Sequence, residues 1–200
     1  MNRAIMAKVF IAALSAALPL SVMAQGSAQT IIDGNVGSNT QGVLSVNQAA
    51  GDANLQSNTT AAAINANGLA SAQGNVVQTI NKGTFGVPDV AVARINGTAF
   101  NNASGVIKIN QAAGAANAQA NSVAIAVGAN VDVTTDAVLA QTVSNVAPTT
   151  MTANGQHRET TVADTAFRGA SGIVQVNQSA GIANATSNTF ALRVQLGAQQ

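Results

Sequence analysis

The sequence predicts an all-β chain of stacked strand–turn–strand repeats, β-solenoid-like and able to continue as cross-β on assembly. Three observations carry this. A seventeen-residue segment occurs three times without a gap, at 42–58, 105–121 and 172–188, and eight of its positions are always Gly, Asn, Gln, Ala, Gly, Ala, Asn and Asn. Within and after each copy, apolar residues recur at every second position, the period of a strand. Charged residues make up 8% of the chain, against roughly 25% in ordinary globular proteins. Asn, Gln, Ser, Thr, Ala and Gly take their place, a mixture suited to stacked β-structure. Copies spaced by 63 and then 67 residues mark an array of stacked units.

The elements follow in chain order. Residues 1–24 read as a secretory signal peptide, expected to be helical. Arg3 and Lys8 make a basic start, 9–18 is apolar, and Val22 and Ala24 are small residues at −3 and −1 before Gln25. The apolar run is too short to be a stable membrane span. Residues 25–41 form a polar lead-in with turn signals at Asp33-Gly34 and Gly37-Ser38, expected to be flexible.

The three-repeat β region covers 42–200. In the first copy Leu44, Val46 and Gln48 share one strand face, and Val43, Ser45 and Asn47 share the other. Ile107, Ile109 and Gln111 keep the first pattern, as do Val174, Val176 and Gln178. The opposite face carries Lys108 and Gln175 where Ser45 stands, so it is expected to tolerate charge. Lys108 and Arg193 read as solvated gatekeepers against premature pairing. The turn glycines Gly51, Gly114 and Gly181 allow positive φ, and Asn54, Asn117 and Asn184 can bond the nearby backbone. A second arm follows each bend, at 55–64, 118–127 and 185–196. Segments 76–80 and 138–143 read as one further strand per interval. Thr98-Ala99-Phe100 recurs as Thr165-Ala166-Phe167, and Pro88 and Pro148 are expected in loops.

Stacked copies would set like amides over like. The candidate assembly residues are Asn47, Gln48, Asn54 and Asn58, then Asn110, Gln111, Asn117 and Asn121, then Asn177, Gln178, Asn184 and Asn188. A buried amide without a partner costs roughly 1–3 kcal/mol. In a ladder of spacing about 4.8 Å each one is bonded by its neighbours, so the pattern predicts self-association.

Other chemistries find no support. The chain has no Cys and one His, His157, beside Arg158 and Glu159, while Asp132 and Asp136 are the closest pair of scattered acids. That set offers no metal, cofactor or catalytic site, and no enzyme is predicted. Loss of Arg3 and Lys8 with the leader leaves six basic residues against seven acidic ones, with no Tyr or Trp. Without a basic patch or stacking aromatics, nucleic acid is not an expected partner.

The run Ser104-Gly105-x-x-x-x-Asn110-x-Ala112-Ala113-Gly114 with its Asn/Gln-rich tail to Asn121, and the Ser171-Gly172 and Gln41-Gly42 leads of the other copies, resemble the repeats of the functional amyloid in Pseudomonas (Fap) fibre proteins. The resemblance implies a structural subunit or minor component of extracellular amyloid-like fibres in the biofilm matrix. It implies passage through the periplasm and an outer-membrane export pore to a secreted or cell-surface location, and association with itself and with related fibre subunits. The main subunits of that family carry a Cys-x-x-Cys near the C-terminus. This chain ends Gly197-Ala198-Gln199-Gln200 without one. A cell-surface adhesin or binding module, and a periplasmic accessory factor of fibre assembly, are the alternative readings.

Overall fold

The computed structural model describes residues 11–13, 26–65, 70–129, 137–148 and 156–195. Those residues form strands and turns, with no helix among them. In chain order the strands are β1 Ile11–Ala13, β2 Ser27–Ile32, β3 Gln41–Ala50, β4 Leu55–Asn65, β5 Gly74–Phe85, β6 Val90–Ile95, β7 Ser104–Ala115, β8 Ala118–Gly128, β9 Ala137–Pro148, β10 His157–Val162, β11 Ser171–Ile182 and β12 Ala185–Gln195.

Pairing is parallel throughout, and it joins equivalent residues of successive repeats. The first sheet is β10-β6-β2, the second β1-β3-β7-β11, the third β12-β8-β4 and the fourth β5-β9. In the second sheet Asn47 pairs with Asn110 and Asn110 with Asn177. In the third, Asn58 pairs with Asn121 and Asn121 with Asn188. The chain therefore lays down a first rung (β2, β3, β4), a second (β6, β7, β8) and a third (β10, β11, β12). Strand β5 leads from the first to the second, and β9 from the second to the third. The four sheets lie face to face in their numbered order, since contacts between sheets run only between neighbours in it. The long crossover that a parallel pair requires is here the rest of a rung.

Alternation within each strand builds the interior. Leu44, Val46, Ile107, Ile109 and Val176 of the second sheet pack against Ile32, Ile95 and the turn residues Phe100, Ala103, Phe167 and Ala170. The rings of Phe100 and Phe167 stack with centroids 5.0 Å apart. Both residues hold φ of 61°, as Gly37 holds 68° at the same place in the first rung. The turn keeps its left-handed geometry from rung to rung even where the residue changes. Elsewhere the layers meet through alanine: Ala28, Ala91, Ala93 and Ala113 form one cluster, and Ala70, Ala72, Ala124 and Ala126 another. Small side chains bury little area each but let sheets approach closely.

Several expectations are corrected. The lead-in 25–41 contributes β2, whose Ala28, Thr30 and Ile32 are buried against the second sheet. The apolar side of Ser-Ala-Gln-Thr-Ile-Ile gives it a strand face to bury. Ile11–Ala13, within the expected helical leader, is a strand paired with Val43–Ser45. It lies along part of the edge of β3 that faces away from β7. Pro148 closes β9 instead of lying in a loop, and a terminal position tolerates proline. Strands β2, β6 and β10 were not expected. The rest of the leader, Asp132, Asp136 and the last residue of the third arm lie outside the described residues.

The bend after the repeat strand uses positive φ twice: Gly51, Gly114 and Gly181 have φ of 98°, 117° and 126°, as expected, and Ala53, Ala116 and Ala183 have φ of 52°, 55° and 56°. The preceding glycines serve close stacking. A Cβ on Gly51 would stand 2.1 Å from the Gly114 carbonyl oxygen, and one on Gly114 would stand 1.9 Å from that of Gly181. A Cβ on Gly86 would meet nothing within 4 Å. Gly114→Ala is therefore expected to destabilise the fold by about 3 kcal/mol or more, and Gly86→Ala by no more than about 1 kcal/mol. Guanidinium denaturation followed by circular dichroism checks the difference.

Candidate functional site

Among the described residues no group of His, Cys, Asp and Glu is placed to hold a metal, and no helix is long and apolar enough to cross a membrane. What the rungs bring together is a set of side-chain amide columns. Asn110 Nδ2 donates to Asn47 Oδ1 at 3.0 Å, and Asn177 Nδ2 to Asn110 Oδ1 at 3.0 Å. Gln111 Nε2 donates to Gln48 Oε1 at 3.0 Å, and Gln178 Nε2 to Gln111 Oε1 at 2.7 Å. Asn117 Nδ2 donates to Asn54 Oδ1 at 2.9 Å, and Asn184 Nδ2 to Asn117 Oδ1 at 2.8 Å. Asn121 Nδ2 donates to Asn58 Oδ1 at 3.0 Å, and Asn188 Nδ2 to Asn121 Oδ1 at 3.0 Å. In all four columns the later rung supplies nitrogen and the earlier rung oxygen.

The columns are tied to one another and to the backbone. Period-two alternation aims Asn47, Asn110 and Asn177 from the second sheet toward the third, where they meet Asn58, Asn121 and Asn188. Asn58 Nδ2 donates to Asn47 Oδ1 at 2.7 Å, Asn121 Nδ2 to Asn110 Oδ1 at 2.9 Å, and Asn188 Nδ2 to Asn177 Oδ1 at 2.9 Å. The Gln column leaves the other face of the second sheet and reaches backbone carbonyls of the first. Gln48 donates to Ile31, Gln111 to Thr30 and Arg94, and Gln178 to Thr161. The third column braces the bend: Asn54 Nδ2 donates to the Gly114 carbonyl and Asn117 Nδ2 to that of Gly181. In the middle rung Asn110, Gln111, Asn117 and Asn121 are all fully buried, and the network supplies the bonds that such burial requires. Asn47, in the first rung, is exposed.

Further columns were not singled out from the sequence. Gln56 Nε2 donates to Gln119 Oε1 at 2.9 Å, a column running the other way. Gln141 Nε2 donates to Gln78 Oε1 at 2.7 Å, and Ser144 Oγ to Asn81 Oδ1 at 2.8 Å. Thr186 replaces the third glutamine of the first of these. For the others, Gln-Thr at 78–79 and again at 141–142 was the available signal.

Lys108 does not stand on a solvated face. It points between the second and third sheets, is 1% exposed, and donates from Nζ to Thr60 Oγ1. Burial lowers its pKa to about 8. Its column neighbours Ser45 and Gln175 are neutral, so the lysine places one ionisable group in a polar seam and does not open a charged surface. Charge sits instead on the outer face of the first sheet. There Arg94 makes two bonds to Glu159, at 3.0 and 2.7 Å, between neighbouring rungs. Bonds from Arg94, then from Thr161 and His157, hold the Glu159 carboxyl near a pKa of about 2. His157 is thus a surface partner of Glu159, at 3.0 Å.

Comparison with known proteins gives one family. A model described as the functional amyloid protein FapB/FapC family matches residues 13–195, nearly the whole chain. No solved structure matches.

Two expectations follow from the seam. Asn110 Nδ2 faces three acceptors, Asn47 Oδ1, the Ser57 carbonyl and Asn58 Oδ1, so Asn110→Asp sets a buried carboxylate against them. It is expected to cost about 3 kcal/mol or more. Asn47 uses only its oxygen within the chain, so Asn47→Asp is expected to change folding stability by no more than about 1 kcal/mol. Denaturation midpoints compare the two.

The second concerns pH. An unfolded lysine stays protonated to about pH 10.4, whereas Lys108 in the fold releases its proton near pH 8. Between these values the unfolded chain binds more protons, so stability rises with pH. The midpoint is expected to increase from pH 7.5 to pH 10, and the increase to vanish in Lys108→Gln, the residue that Gln175 already supplies in the same column.

Proposed function

The chain belongs to the functional amyloid FapB/FapC protein family, and from that premise we propose that it is a secreted structural subunit of extracellular amyloid-like fibres in a biofilm matrix, joined third rung to first rung from copy to copy once loss of the leader, and of β1 with it, has freed the outer edge of β3. The observation that carries this is the common direction of the four amide columns. The first rung presents amide N–H groups away from the stack, and the third rung presents amide oxygens. Head meets tail without a symmetry axis between them, and an interface of that kind builds an open filament when, as in straight stacking of rung on rung, the rotation between copies closes no ring.

The residues at such a joint repeat those of the inner joints. Val46 meets Val176, Asn47 meets Asn177, Gln48 meets Gln178, Asn54 meets Asn184 and Asn58 meets Asn188. Each of the four amide pairs extends a column already bonded at 2.7–3.0 Å between successive rungs. Low charge leaves little repulsion to oppose the assembly. Passage through the periplasm and an outer-membrane pore, and co-assembly with related subunits, complete the reading on the strength of the family.

Negative-stain imaging and fibre diffraction test it: purified chain is expected to give unbranched fibres with reflections near about 4.8 and 10 Å. Asn47→Asp sets a carboxylate opposite Asn177 Oδ1 at the joint and is expected to slow seeded elongation by about tenfold or more, although its fold survives. A chain that stays monomeric at high concentration, or an Asn47→Asp chain that elongates like the wild type, overturns the reading. A stable monomer would point to the binding-module alternative.

A further inference from the structure

The glycine column after the repeat strand ends differently from the way it runs. The Cβ direction of Gly51 is filled by the Gly114 peptide, and that of Gly114 by the Gly181 peptide. The same direction at Gly181 points off the third rung, where the next copy's Gly51 peptide would seat. There it meets the Arg158 side chain, with Nε 2.9 Å and Cδ 3.1 Å from the Cβ position. Gly181 is accordingly buried although it belongs to an end rung, whereas Gly51 at the opposite end is exposed.

Arg158 is also out of keeping with its own column. Register in the first sheet aligns it with Ala91 and Ala28. Those alanines are 0% and 5% exposed and pack into the alanine cluster with Ala93 and Ala113, against Ala50 and Ala180. Between two stacked rungs this seam holds only methyl groups. A side chain as long as arginine fits there because no rung lies above it.

We infer that Arg158 is a displaceable cap on the third-rung end, which an incoming copy must lift before its Gly51 can seat over Gly181, and that Asp52 of that copy receives the displaced guanidinium. The inference rests on the end-to-end joint proposed above. Asp52 immediately follows the seating glycine, is exposed, and shares its column with Ala115 and Ile182. At the joint its carboxylate therefore stands beside Gly181, within reach of an arginine whose stem runs out to the rim. Every joint contains one third rung, so the cap is met whichever end of the fibre grows.

Seeded elongation followed by thioflavin fluorescence and sedimentation tests this with the whole chain. Arg158→Ala, which restores the column residue, is expected to elongate about fivefold faster than the wild type at equal seed concentration. Arg158→Gln is expected to elongate faster as well and serves as the second variant should the first fold poorly. Asp52→Asn is expected to slow the wild-type chain by a similar factor and to change nothing in the Arg158→Ala background. Arginine variants that elongate no faster than the wild type, or an Asp52→Asn effect equal in both backgrounds, overturn the cap while leaving the fibre reading intact. A wild-type chain that does not elongate from its own seeds overturns both.

Discussion

Parallel, in-register pairing is the constraint on which the rest of the molecule depends. Once each strand lies over its own counterpart, the backbones of the middle strands β7 and β8 are paired with like segments on both sides, and each paired side chain sits over the residue that fills its place in the next rung. Only then can amides such as Gln111 and Asn121 be buried fully without cost. The requirement fixes chain length: the first two rungs are offset by 63 residues in all four sheets, and the second and third by 67 in three. The four additional residues fall between the end of β9 at Pro148 and the start of β10 at His157, so no strand changes register. The Arg94–Glu159 pair is a weaker restraint of the same kind, because solvent screens an ion pair on an exposed face.

Much of this could be read from the residues. The second arms fall within one residue of β4, β8 and β12, and the repeat strands lie inside β3, β7 and β11, because alternation, β-branching and identical columns coincide there; β7 and β11 run on through Gly114 and Gly181, where the bend was expected to begin. The ladder residues were visible for the same reason. Strands β2, β6 and β10 were not. Ser-Ala-Gln-Thr-Ile-Ile, Val-Ala-Val-Ala-Arg-Ile and His-Arg-Glu-Thr-Thr-Val have no position identical in all three, and their pairing is imposed by the sheet beside them instead of by local preference. Lys108 was misplaced because a strand face marked by Ser, Lys and Gln looks solvated from sequence. Only the third sheet lying across it shows that the face is interior. The left-handed φ at Phe100 and Phe167 had no local signal either, since a bulky residue rarely adopts it.

The same register governs how the fold can be reached. Each strand pair between repeats joins segments 63 or 67 residues apart, so a lone chain must close long loops before these ladder bonds form. An existing third rung removes part of that difficulty, because it is an ordered template against which the first strands of another copy can be laid. The physical reason that makes the isolated chain slow to organise is thus the reason that the proposed end-to-end joint would favour growth on a prepared end.

The amide columns have one more consequence. Each carboxamide carries a dipole, and in the Asn47, Gln48, Asn54 and Asn58 columns these point the same way along the stack, with the Gln56–Gln119 pair opposed. Backbone dipoles in a sheet largely cancel, but aligned side-chain dipoles add, as peptide units do along a helix. A long stack of these rungs is an electrically oriented rod, partially positive at its first-rung tip and partially negative at the other, and it would turn to lie along an applied field.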